Sequence, residues 1–148
     1  MKEKLRVAAY AVCVRADQIL LARSPGPDGV PEWVLPGGGM EHGEDPYDTV
    51  RREVFEETGY QVAVTGLLGV HTSRRVIRHG PLGTPTDHQG LSLLYAVEVT
   101  GGDLTPEIGG STDFAAWQDL SALAGLNVVR VVEAGLRLWR ERPVTGHL

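Results

Sequence analysis

At 148 residues, with 42% apolar and 22% charged side chains, the chain has the size and balance of one ordinary folded domain. Its 14 basic and 19 acidic side chains leave a formal net charge of −5. That balance argues against coating a nucleic acid, whose phosphates attract basic surfaces, but leaves room for a small phosphorylated molecule held through metal ions. No run approaches the ~18 consecutive apolar residues of a membrane span, so no membrane partner and a cytoplasmic location are expected. The lone Cys13 has no partner for an intramolecular disulfide and lies in an apolar stretch, the setting of an inert buried thiol.

In chain order, Leu5 to Val14 is β-prone. The polar Arg15 and Asp17 that follow fit a strand better than a leader peptide with a small-residue cleavage site. Arg15 to Gln18 reads as a tight turn, and Gln18 to Arg23 as the return strand of a hairpin. Residues 24–32 hold three prolines and two glycines and read as loop. Trp33 to Leu35 is a short strand ended by Pro36, and Gly37 to Gly39 a flexible glycine loop. A helix is predicted from about Pro46 to Thr58: Asp45 is a good N-cap, Pro46 suits the first helical position, Asp48 sits where a capping-box acid would, and Gly59 is a left-handed stop.

Tyr60 to Thr72 reads as one long or broken strand, Ser73 to Gly90 as polar loop, and Leu91 to Val99 as a strong strand. Gly101-Gly102 reads as a turn, Asp103 to Thr112 as a second loop, and Phe114 to Trp117 as a last short strand. A helical turn from Asp119 precedes a final helix capped by Asn127 and running to about Arg140, with Val128, Val132, Leu136 and Trp139 on one face. Strands and helices do not alternate regularly, so a doubly wound parallel sheet is disfavoured. One domain spanning 1–148 is expected, α+β in class, with a mixed sheet and a helix on each face.

The chemistry concentrates between Gly37 and Tyr60. On the predicted helix, Glu53, Glu56 and Glu57 fall within an arc of about 100°, beside an arc of Tyr47, Val50 and Val54 that Phe55 extends and that is fit for a core. Arg52 lies just outside the acidic arc, placed to pair with or orient a glutamate. Three carboxylates so close repel one another, and a cation relieves the repulsion. Oxygen-only ligands select hard ions such as Mg²⁺ or Mn²⁺. The glycines let a backbone carbonyl approach such an ion, with Glu41 and Glu44 as further acids nearby. Ions held this way polarise phosphorus and generate hydroxide from water. Taken alone, an E-x-x-E-E run is more often a solvated acidic face.

The same residues carry a longer pattern. Gly38 is followed after five residues by Glu44, and seven residues later come Arg52, Glu53, Val54, Glu56, Glu57, Gly59 and Tyr60. This resembles the Nudix box, G-x5-E-x7-R-E-U-x-E-E-x-G-U, at every fixed position; Tyr60 stands where an aliphatic residue is usual. Trp33-x-Leu35-Pro36-Gly37-Gly38 is similar to the family's lead-in. The resemblance implies a Nudix α/β/α sandwich with a mixed sheet between helices. It also implies Mg²⁺- or Mn²⁺-dependent hydrolysis of a diphosphate bond in a nucleoside diphosphate linked to another moiety: a nucleoside triphosphate, a nucleotide sugar or an ADP-ribose-like molecule. Carried over by position, Glu56 and Glu57 are the main metal ligands, Glu53 a further ligand or the base for the attacking water, and the Gly38 (or Gly37) carbonyl completes the coordination. Glu44 with Arg52 ties loop to helix. The alternative is a silent nucleotide-binding regulatory domain of the same fold, against which the intact acids argue.

Outside the box, Glu98, Glu107 and Asp113 are candidates for an additional acid, with Glu98 and Glu107 preferred. Arg23, Arg74 and Arg75 are candidate substrate contacts, and Arg78 belongs to the same basic cluster. His71, His79 and His88 show no convincing metal spacing, and Trp33 and Tyr95 suit core packing better than base stacking. Positions that mark particular substrate branches of the family are absent, and RNA decapping is disfavoured by the charge. The partner implied is a small nucleotide-like molecule; oligomeric state stays open, a homodimer among the options.

Overall fold

The computed structural model describes residues 1–26 and 28–148; Pro27, within the expected 24–32 loop, lies outside the described residues. Strand β1 (Lys2–Val12) lies inside a four-stranded sheet with β5 (Gly37–Gly39), β6 (Tyr60–Ile77) and β7 (Thr86–Gly102), in the order β5-β1-β7-β6. The β1–β7 pairing is parallel and the others antiparallel, so the sheet is mixed. A second sheet forms around β3 (Gln18–Ser24), with β2 (Val14–Arg15) and β4 (Glu32–Val34) along one edge and β8 (Phe114–Asp119) along the other.

Strand periodicity sorts the side chains onto two faces. Ala9, Ala11, Cys13, Leu20, Tyr95 and Val97 turn toward helix α1 (Pro46–Thr58), meeting its Val50 and Val54. Their neighbours Val12, Ile19, Leu21, Leu94 and Ala96 turn the other way, onto Val132, Leu136 and Leu138 of helix α2 (Arg130–Glu141). Each fully buried aliphatic side chain contributes roughly 1.5–3 kcal/mol, so both faces of the sheets are paid in hydrophobic burial. The α+β class, with a mixed sheet and a helix on each side, is as expected.

Helix α1 has the predicted limits. Asp45 Oδ1 accepts the Tyr47 N–H at 2.8 Å, and Gly59 closes the helix in the left-handed conformation. Several other expectations need correction. The tight turn after Arg15 and the return strand from Gln18 are as expected, but the first arm of that hairpin is short: β1 ends at Val12 in the first sheet, and Val14–Arg15 alone pairs with β3 in the second. Gly37–Gly39 is not a loop but a strand paired antiparallel to β1.

The segment expected as loop at Ser73–Gly90 is mostly strand: β6 runs on to Ile77 and β7 begins at Thr86. These arms are polar because they largely pass beyond the core and satisfy their backbones through each other and β1. Gly101-Gly102 lies inside β7, opposite Gln61 and Tyr60. Asn127 does not cap α2; its side chain donates to the Pro31 carbonyl, Val128 bridges to Trp33, and Val129 is the N-cap. A 3₁₀ helix, Leu120–Gly125, occupies the helical turn expected from Asp119. Among the described residues no helix is long and apolar enough to cross a membrane.

Candidate active site

Val50, Val54 and Glu57 are four and three residues apart, so they share one helical stripe. The two valines are fully buried, and that stripe carries Glu57 inward with them to 1% exposure. The expectation of three outward-facing glutamates is therefore corrected: Glu57 is in the core layer, Glu53 is half-buried and Glu56 faces solvent. Phe55 and Tyr47, expected near the core, are exposed, because the stripe is narrower than the apolar residues suggest.

Glu57 Oε2 accepts the Gly37 N–H at 3.3 Å. Burial pushes its carboxyl far above the usual carboxylate range, and the adjoining Glu53 carboxyl pushes it further. Glu53 packs against β5: a Cβ on Gly38 would stand 2.7 Å from the Glu53 carboxyl carbon. A side chain at 38 would displace the Glu53 carboxyl from this position. Gly37, at φ 150°, has its missing Cβ directed at the Ala9 carbonyl and Tyr10.

Arg52 organises the rest. Its Nε and Nη2 donate to the two Glu44 carboxylate oxygens at 2.8 and 3.0 Å, a planar fork on a planar acceptor. Nη2 also donates to the Gly39 carbonyl at 3.3 Å, and Nη1 to Glu53 at 3.1 Å and Glu56 at 3.3 Å. The Arg52 guanidinium and the Thr49 hydroxyl hold the Glu44 carboxyl down at about 2, and the same contacts raise Arg52. One guanidinium thus joins the segment before α1 to two of the helix's acids.

Glu107, in the connection between β7 and β8, is the acid from outside α1 that enters this field. Its carboxyl is half-buried beneath Gly110, and burial, then Glu56 and Glu53, raise it above the usual range. A cavity of about 750 Å³ opens beside it, with Phe55, Glu56, Gly59 and Thr105 in its wall. Glu98 is exposed on β7, opposite Ala63. Asp113 is paired with Arg23 at 3.0 Å, and Arg23 lies over the Phe114 ring.

Oxygen donors are abundant here, yet among the described residues no three carboxylate, imidazole or thiolate side chains converge into a ready cation cage. Arg52 draws Glu53 and Glu56 to itself. The close pair of half-buried Glu53 and buried Glu57 nonetheless needs a proton or cation between its charges, and its carboxylate oxygens are ligands of the kind hard divalent ions prefer. The donor set fits Mg²⁺ or Mn²⁺, provided Glu56 turns away from Arg52.

On the opposite face of the first sheet lies a second cleft, of about 580 Å³. Arg74 and Arg75 line it, together with His71 and His88; Arg23 does not. Arg74 is held by Asp87, Nη2 to Oδ2 at 2.6 Å. The cleft also contains Arg6, Tyr10 and Arg130, which sequence reasoning did not single out. Period-two spacing would have placed Arg6 and Tyr10 together on one face of β1; nothing in the sequence brings Arg130 to them.

A model of the NUDIX domain matches residues 4–136. Over 82 residues the chain is 34% identical to the human (Homo sapiens) diphosphoinositol polyphosphate phosphohydrolase NUDT4B, covering 53% of this chain and 44% of that protein. Over 73 residues it is 44% identical to a MutT-like protein of Streptomyces ambofaciens, covering 48% and 46%. The chain spans less than half the length of these curated relatives. A NUDIX hydrolase structure from Nitrosomonas europaea superposes with a TM-score of 0.73 at 21% identity, covering 93% of this chain and 89% of that one, a likeness of fold.

Proposed function

This chain belongs to the Nudix family, and from that premise we propose that it hydrolyses a diphosphate bond in a nucleoside diphosphate linked to another moiety. The observation that carries the reading is the buried Glu53–Glu57 carboxyl pair against the bare Gly37–Gly38 backbone, with Glu56 at its rim. Glu53, Glu56, Glu57 and the Gly38 carbonyl are the residues that would hold Mg²⁺ or Mn²⁺. When bound, such an ion polarises the phosphoryl oxygens and acidifies water. Glu53 is the group we assign to take the proton of the attacking water. The oxygen of that water bonds to one phosphorus, the bridging P–O bond breaks, and the bridging oxygen leaves with its electron pair and collects a proton. Arg52 and Glu44 position the helix acids on the strand; Glu107, rather than Glu98, is the additional acid, because it alone of the two shares the field of Glu53 and Glu56. Arg74 and Arg75 are substrate contacts from the second cleft; Arg23, engaged by Asp113, is the weaker of the three candidates.

The test is phosphate or nucleotide release from a panel of nucleoside triphosphates, nucleotide sugars and ADP-ribose, with Mg²⁺ or Mn²⁺. Glu57→Gln is expected to lower kcat by about 10²–10³-fold, the scale of losing one preorganised electrostatic group. Glu107→Gln is expected to lower it by about 10–100-fold and Glu98→Gln by less than about twofold. Tight nucleotide binding without turnover by the wild type would instead favour the silent regulatory domain.

A further inference from the structure

The two clefts are separated by a single bare strand. β5 is the edge strand of its sheet, and its three glycines alternate in direction: Gly38 faces the Glu53 carboxyl, while Gly37 faces Tyr10 and Gly39 faces the Arg6 guanidinium, 3.3 Å from where a Cβ would stand. No side chain on β5 stands between the acidic pocket and the basic cleft. No β5 side chain therefore blocks a molecule that extends from the acidic pocket toward the cleft.

In a chain with net charge −5, that cleft is lined by Arg6, Arg75 and Arg130 against one carboxylate, Glu32; Arg74 borders it but turns to the other face of the sheet, toward Asp87. Arg74 is fixed by Asp87, whereas among the described residues Arg6, Arg75 and Arg130 have no carboxylate within 4.0 Å. The Nε2 of His88, in the same wall, is buried without a hydrogen-bond partner. Guanidinium groups that line one cleft without ion-pair partners are a poor environment for a neutral sugar or base. They are a good one for phosphate, whose oxygens match the guanidinium fork.

We propose that the cleft formed by Arg6, Arg75, Arg130 and His88 binds a phosphate monoester on the half of the substrate that lies beyond the scissile diphosphate. The substrate is then a diphosphate bearing at least one further phosphate group, on either a nucleoside or a polyol. This deepens the hydrolase reading and rests on it for the identity of the scissile bond.

Matched pairs test it. ADP-ribose and its 2′-phosphate, and dephospho-coenzyme A and coenzyme A, each differ by one phosphate; diphosphoinositol pentakisphosphate supplies the polyol arm, and UDP-glucose with UDP-glucuronate asks whether a carboxylate suffices. The phosphorylated member of at least one pair, or the polyol diphosphate over ADP-ribose, is expected to have about tenfold or more the kcat/KM, a preference that shrinks between low and high salt. In Arg75→Glu/Arg130→Glu the ratio is expected to fall below about threefold, while Arg137→Glu/Arg140→Glu, the same charge change outside the cleft, leaves it intact. A wild-type ratio below about threefold throughout, a preference for glucuronate as large as that for phosphate, or a ratio that survives the double variant overturns the proposal.

Calorimetric titration of Glu57→Gln with inositol hexakisphosphate and with adenosine 3′,5′-bisphosphate, without metal, separates the two readings. Binding of either, weakened about tenfold or more by the double change, with no pair hydrolysed by the wild type, sinks the hydrolase reading and keeps the cleft. Hydrolysis with neither probe bound does the reverse.

Discussion

The acidic pocket and the basic cleft lie back to back across β5 and are built on opposite plans. In the pocket Glu44, Glu53, Glu56 and Glu57 each accept a hydrogen bond, from Arg52 or from Gly37. In the cleft, among the described residues, Arg6, Arg75 and Arg130 have no acid to hold them. A bonded, partly buried cluster holds its geometry at little entropic cost, as a reaction centre requires. Long, exposed side chains without an ion pair lose most of their rotamer freedom only when something binds. The difference teaches that one side of the strand is organised by its own hydrogen bonds and the other is left to be organised by a bound anion if the proposed cleft is used.

The largest effect that would sharpen this contrast comes from Arg52→Ala. It leaves Glu44 and Glu53 half-buried without their cation and is expected to lower kcat by about 10–100-fold, as loss of an orienting group does, with a lower unfolding midpoint. Arg52→Lys should rescue little, because an ammonium cannot reproduce the planar fork. If steady-state assays show either change within twofold of wild type, the pocket is not organised by this guanidinium.

The next effect is a pH dependence that the cleft should not show. The Glu57 carboxyl loses its proton near its ordinary value of 4.5 in the unfolded chain but is pushed up to about 9 in the folded one. Between those values the folded state binds more protons, so its stability is full below 4.5 and is lost as pH rises toward 9. Without divalent ions, thermal midpoints should fall from pH 5 to pH 8.5; Mn²⁺ should restore them most at the upper end, and Glu57→Gln should flatten the slope. An unchanged slope in the variant would assign it to other groups.

The smallest effect concerns Tyr60. Its ring is buried against Trp117, whose Nε1–H donates to the Tyr60 hydroxyl at 3.0 Å. Tyr60→Phe should cost about 0.5–1.5 kcal/mol in chemical denaturation, the worth of one hydrogen bond, and leave kcat within twofold. A large loss of activity would extend the reaction centre to the base of β6.

The box itself was readable because its signals are local. Asp45, Pro46 and Gly59 act on the backbone within one turn, and the limits of α1 follow from them. The spacing from Gly38 to Tyr60 is likewise covalent, so the acids and their motif were visible in one dimension. The β6–β7 arms were not. Their polar residues carry no period-two apolar stripe, since much of their length lies outside the core, and their strand character comes from pairing with each other and with β1. The glycines of β5 misled for a related reason: glycine has little strand propensity of its own, and Gly37–Gly39 is extended because β1 lies beside it.

By itself, then, the sequence determined the start and end of α1, the α+β class and which acids belong to the motif, because all of these rest on chemistry between near neighbours in the chain. Tertiary structure decided how those acids divide. Glu57 is buried because Val50 and Val54 pull its stripe inward, and the Glu53 carboxyl sits where a side chain at Gly38 would stand. It also decided that Glu107 and not Glu98 shares their field, and that Arg6, Arg75 and Arg130, separated by more than a hundred residues between the first and last, line one cleft. Electrostatic fields and burial depend on distances through space, and those exist only once the chain has folded.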